Sequence, residues 1–179
     1  MQKIHTVVAV YQTHTQAEEA IQAFQSSSFD MKKLSIVGKD YHTEEHVVGF
    51  YNTGDRMAFW GKRGAFWGGF WSILFGSALF LIPGFGHVMV LGPLVGWMVA
   101  ALGQAAVVGG LSALGAGLYS IGIPKDSIVR YETALQADQF VVVAHGSQDE
   151  MIAARQILEK TSPVSVDDHG ALAAALWRG

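Results

Sequence analysis

The chain has 179 residues, no cysteine, and 15 acidic against 12 basic side chains for a formal net charge of −3. Missing cysteine excludes disulfides, thiolate metal sites and thiol nucleophiles, and the scattered Lys and Arg make nucleic acid a poor partner. Half the residues are hydrophobic and 21 are glycine, concentrated in one part of the chain.

Residues 4–11 are rich in β-branched types, Thr6, Val7, Val8 and Val10, and read as a strand. The first six residues lack a basic segment followed by an apolar core, so no signal peptide is expected and the polar parts are placed in the cytoplasm. Thr15-Gln-Ala-Glu18 has the form of a capping box and predicts a helix start. The helical stripe is Ala17, Ala20, Ile21 and Phe24; Ser26-Ser27-Ser28 ends it before a second strand over 33–37. Residues 45–51 suit an extra strand, closed by the turn composition of 52–55.

Residues 64–124 contain no Asp, Glu, Lys or Arg, an uncharged run of 61 residues. Its length predicts two transmembrane crossings. Pro83 and Pro93 divide it into a helix over 64–82, about 28 Å long, and one over 94–121, about 42 Å long, against a hydrocarbon core of about 30 Å. The connection is itself apolar, with His87 its only ionisable residue, which makes that imidazole a candidate polar tip. Gly64, Gly68, Ser72 and Gly76 recur at intervals of four, and Gly96, Gly103, Gly110 and Gly117 at intervals of seven. Such stripes let helix backbones approach closely, either closing the hairpin on itself or packing between subunits. Trp60, Trp67 and Trp71 with Lys62, Arg63 and Lys125 form the expected membrane-interface girdle.

After the run, Pro124 opens a connecting helix whose apolar residues are Ile128, Val129, Tyr131 and Leu135. Residues 140–144 read as a buried strand, Ser147-Gln-Asp-Glu150 as a second capping box, Met151, Ala154, Ile157 and Leu158 as a helical stripe, and 163–166 as a short strand. Two βαβ halves predict an α+β, ferredoxin-like sandwich interrupted by an apolar, glycine-rich helical hairpin. The divisions are 1–56 for the first half, 57–123 for the hairpin, 124–170 for the second half with its connecting helix, and 171–179 for a tail. If both halves build one sheet, the insert leaves and returns on one side of a bilayer. The flanking basic residues put that side in the cytoplasm of a bacterial inner membrane.

The segments Val8-Ala-Val-Tyr11, Thr15-Gln-Ala-Glu-Glu-Ala-Ile21, Leu34-Ser-Ile-Val-Gly-Lys-Asp40, Phe66-Trp-Gly-Gly-Phe-Trp71, Ile82-Pro-Gly-Phe-Gly86, Gly92-Pro93 and Gly122-Ile-Pro124 resemble the bacterial general-stress or heat-induced stress protein family. The resemblance covers about residues 7–158. It implies a stress-associated membrane protein with a glycine-rich insert and supplies no catalytic residue.

No metal, nucleotide or nucleophile motif joins the seven histidines. His42 and His46, four residues apart, and Asp167-Asp168-His169 read as solvated surface. The sequence therefore predicts no enzyme, no cofactor and no metal, with membrane lipid and other copies of the chain as partners. Its leading reading is a membrane-embedded, self-associating stress protein serving envelope protection or remodelling. The alternatives are a soluble homo-oligomer that buries the apolar helices, around lipid in one version, and a small-ligand sensor or enzyme built on the sheet.

Overall fold

The computed structural model describes residues 4–39, 77–82, 86–102 and 112–170. The chain runs β1 (His5–Tyr11), α1 (His14–Ser26), a 3-10 turn (Met31–Lys33), β2 (Leu34–Lys39), β3 (Ser77–Ile82), β4 (Gly86–Leu91), α2 (Leu94–Leu102), α3 (Ala113–Ser120), α4 (Lys125–Gln136), β5 (Phe140–Gly146), α5 (Gln148–Glu159) and β6 (Ser165–His169). The protein is α+β. Its six described strands form one sheet in the order β3-β4-β2-β5-β1-β6, every neighbouring pair antiparallel.

The helix starts follow from hydroxyl chemistry. Ser147 accepts from the Glu150 amide, and the Glu150 carboxylate accepts from the Ser147 amide at 2.8 Å, closing the expected box at α5. At α1 the box lies two residues earlier than expected. Thr13 is the cap and Gln16 its reciprocal partner, since a glutamine amide oxygen serves that position as well as a glutamate.

Two cores sandwich the sheet. One face carries Val7, Ala9, Tyr11, Leu34, Ile36, Val142 and Ala144 against α1 and α5, with Phe24, Ile21 and Leu158 buried beneath those helices. The other carries Val8, Val10, Val37, Val88, Val90, Val141 and Val143 against α2, α3 and α4, which contribute Leu94, Met98, Leu114, Leu118, Ile128, Tyr131 and Leu135. All seven residues of β1 are therefore buried, as a strand covered on both faces requires.

The insert departs most from expectation. Residues 77–82, placed at the end of a first helix, form β3, and residues 86–91, placed in a tip, form β4, which joins β3 to β2. His87 pairs with Leu81 across this hairpin and is not a loop-tip residue. An unbroken apolar run has no period to separate strand from helix, and β-branched Val88 and Val90 suit a sheet. The second helix is not continuous over 94–121: Ser112 stands in extended conformation (φ −65°, ψ 168°) and its hydroxyl accepts from the Gly115 amide, so α3 starts afresh.

Among the described residues no helix is long and apolar enough to cross a membrane. This corrects the inner-membrane location, with both termini in the cytoplasm, expected from the uncharged run. Its described parts are two strands and helices of 9 and 8 residues, and both helices spend an apolar face on the sheet. The remaining residues of the expected first helix, and 45–55, lie outside the described residues.

Gly92 fixes how the chain turns from β4 into α2. Its φ of +98° belongs to the left-handed region, and a Cβ there would fall 2.3 Å from the Leu34 carbonyl oxygen. The Ser35 hydroxyl then accepts from the Leu94 amide at 3.1 Å, so a strand side chain supplies the cap that α2 lacks in its own sequence.

Candidate functional site

Strand register brings three polar side chains abreast at one end of the sheet. Thr6 of β1 is opposite His145 of β5 on one side and His169 of β6 on the other. Side chains two residues apart share a face, so all three point the same way as Val8, Val10 and Val143, toward α2, α3 and α4. An otherwise valine-lined face thus ends in a row His145–Thr6–His169.

Each member meets a different part of the helical layer. Trp97 of α2 packs edge-on against the His145 ring, centroids 4.6 Å apart and planes at 83°. Thr6 donates to the Ile121 carbonyl beyond α3 at 3.4 Å, a long bond. The Tyr131 hydroxyl of α4 lies 2.6 Å from His169 Nε2 and 3.2 Å from Asp167 Oδ2. If His169 Nε2–H donates to Tyr131 and the hydroxyl in turn donates to Asp167, every proton lies between a donor and an acceptor. Arg130 stands 3.6 Å from the same carboxylate.

Burial sets the protonation of the row. Desolvation is the largest influence on both imidazoles and lowers each below its ordinary value. At His145 it outweighs the raising influence of the Lys33 backbone, and at His169 that of Asp167. Burial raises the Tyr131 phenol, and Asp167 raises it further, so this hydroxyl stays protonated and is neither a general base nor an ionised nucleophile. His145 Nδ1 is buried without a hydrogen-bond partner among the described residues, as is Nδ1 of His5 on the opposite face. No group of His, Asp and Glu among the described residues is arranged to hold a metal.

Strand β6 ties both layers to the sheet. Asp167 and Asp168 are successive and so point to opposite faces. Asp167 meets Arg130 of α4, while Asp168 forms a close ion pair with Arg155 of α5, which also reaches Glu159 at 2.7 Å. Asp167-Asp168-His169, expected as solvated surface, is therefore part of an edge strand, and His169 is only 8% exposed. On the α1 and α5 face, Tyr11 hydrogen-bonds Thr161 at 2.7 Å and burial pushes its phenol up to about 12.

Of the residues singled out for helix packing, Gly117 lies against α2. A Cβ there would come 2.6 Å from Met98 Cγ and 3.2 Å from Met98 Cα, a backbone approach that only glycine permits without displacement. Gly96 is exposed, and a Cβ there would meet no atom within 4 Å. Lys125 opens α4, exposed, with its ammonium 6.0 Å from the Tyr119 ring centroid. Gly64, Gly68, Ser72, Gly76, Gly103 and Gly110 lie outside the described residues, as do Trp60, Lys62, Arg63, Trp67 and Trp71, and His42 and His46. Sequence reasoning did not assemble Thr6, Tyr131, His145 and His169, which lie far apart in the chain. The available signal was the run Ser165-Val-Asp-Asp-His169, too polar for a buried strand and adjacent to two helices that each carry an arginine.

Residues 6–79 match the family model described as the heat induced stress protein YflT domain. The matched segment takes in β1, α1 and β2 and reaches into β3. Over this segment the chain is similar to the heat-induced stress protein family that its sequence resembles. Neither the curated proteins nor the solved structures compared with it give a match.

Proposed function

We propose that this is a non-enzymatic stress-response protein that acts by associating with further copies of itself. On this reading the strands β2-β5-β1-β6 with α1 and α5 are a ferredoxin-like unit, and the glycine-rich segment supplies a second helical layer and the associating surface. The stress assignment is supported by the match of residues 6–79. Self-association is supported chiefly by the outer face of α2. Gly96, Val99 and Ala100 are all exposed there, at i, i+3 and i+4, and Val99 is 58% exposed. The helix carries no charge, so this face offers small and apolar contacts suited to a like surface. Sedimentation velocity of the full-length chain, with Val99→Asp beside it, tests the reading. The expected result is a multimer that the substitution breaks down to at most half its mass; a monomeric parent protein, or a multimer of unchanged mass, overturns it.

A further inference from the structure

The row His145–Thr6–His169 crosses the sheet where three elements of the helical layer meet it: α2 through Trp97, the segment after α3 through the Ile121 carbonyl, and α4 through Tyr131. Beneath the rest of that layer the sheet presents valines, which offer packing without titratable contact. The opposite layer is fastened differently. There Asp168 pairs with Arg155, as Asp167 does with Arg130 on the first face, Lys33 adds a pair with Glu150, and α1 and α5 cover Val7, Ala9, Tyr11, Leu34, Ile36, Val142 and Ala144.

We propose that this row is an acid-operated latch: when His145 and His169 take up protons, the layer of α2, α3 and α4 loosens from the sheet while α1 and α5 stay packed. A cation placed under apolar helices costs far more than the neutral ring it replaces. The surroundings compensate unequally. Around His169 stand Tyr131 and Arg130 from α4, Asp167 and Asp168 from its own strand, and the uncharged Thr6 from β1. Around His145 stand Trp97 from α2, Lys33 and Asp30 from the 3-10 turn and its cap, Glu150 from α5, and Thr6. Arg130 and Lys33 oppose a new positive charge at each site, and burial outweighs the favourable influence of the neighbouring carboxylates and, at His145, of the Lys33 backbone.

The sign follows from burial. Both rings titrate lower in the folded layer than in an unfolded chain, where histidine titrates near about 6.5. The open form therefore binds more protons, and closure weakens as pH falls through and below that value. Loosening exposes Val8, Val10, Val141 and Val143 together with the inner faces of α2 and α3. The latch does not rest on self-association, because it is read within a single chain.

Hydrogen exchange of the full-length protein at about pH 7.5 and about pH 5, corrected for the intrinsic pH dependence of amide exchange, tests it. The expected result is that amides of α2, α3 and α4 gain in relative rate over those of α1 and α5, by up to about thirtyfold per ring at this pH. His145→Gln, which leaves the Tyr131 contact intact, should remove part of that preference, and the double variant with His169→Gln nearly all of it. Equal acceleration of both layers, or a preference that survives His145→Gln undiminished, overturns the proposal. Should the double variant not fold, proton NMR titration of the parent protein decides: midpoints for both rings below the ordinary value, coinciding with the opening, support the latch, and midpoints at the unfolded value contradict it.

Discussion

The two faces of the sheet are covered by the same kind of object, apolar helices, but are built from different parts of the chain and by different rules. The face under α1 and α5 is closed by amphipathic helices, each begun by a capping box and tied at its margins by ion pairs such as Arg155 with Asp168. The face under α2, α3 and α4 is closed largely by uncharged sequence. There the turn into α2 depends on Gly92, its cap on Ser35 from the sheet, and its contact with α3 on Gly117 over Met98. An uncharged run of this length thus need not measure a membrane. A sheet buried on both faces needs a second apolar layer, and strands and short helices consume apolar residues as readily as spans do.

The comparison breaks first if the second layer is only an accessory cover. Phe24 and Met98 are each fully buried, one in each core. Phe24→Ala is expected to cost about 3–5 kcal/mol and Met98→Ala about 2–5 kcal/mol. Urea unfolding should show both losses in one transition; a Met98→Ala protein with unchanged stability would show the second layer to be dispensable.

Glycine substitutions sharpen it. Gly117→Leu drives side-chain atoms into the α2 backbone and is expected to cost about 1–3 kcal/mol. Gly96→Leu meets open space and should stay within about 0.5 kcal/mol in the isolated chain, allowing for the gain of leucine over glycine in a helix. Equal effects on the thermal midpoint would remove the distinction between the two positions.

The smallest effect concerns the first face. The Lys33 ammonium, 2.5 Å from Glu150 Oε1, and the Ser147 amide hold the Glu150 carboxyl down to about 2. Its folded value lies below the unfolded value near about 4.3, so its contribution is complete above that pH and is lost as pH falls toward about 2. The pair is partly exposed, which limits its worth to about 1 kcal/mol or less. Lys33→Met should flatten stability against pH in this range and, by removing a like charge from beside His145, slightly reduce the histidine-linked loss nearer neutrality, as measured by urea unfolding across pH.

The flanks were legible in the sequence because their signals are local. Hydroxyl caps, helical stripes and β-branched runs placed β1, α1, β2, α4, β5 and α5 close to their observed positions. The insert was not, because residues 77–91 are apolar throughout and carry no period to choose strand over helix. One sign of the second layer was nevertheless present. Val7-Val-Ala-Val10 and Val141-Val-Val-Ala144 lack the polar alternation of strands with one wet face, and two helices cover only one face. The histidine row was hidden for a different reason: its members come from β1, β5 and β6, and only strand register brings them together.

The central claim is that the uncharged segment returns to cover the sheet, and the contact of Trp97 with His145 tests it most directly. Nuclear Overhauser spectroscopy of the full-length chain at about pH 7.5, where burial keeps His145 neutral, should show cross-peaks between the Trp97 indole and His145 imidazole protons. Loss of those peaks in Trp97→Phe identifies the indole. Their presence places α2 on the valine face; an indole that sees only neighbours on its own helix, with no imidazole contact, would contradict the account.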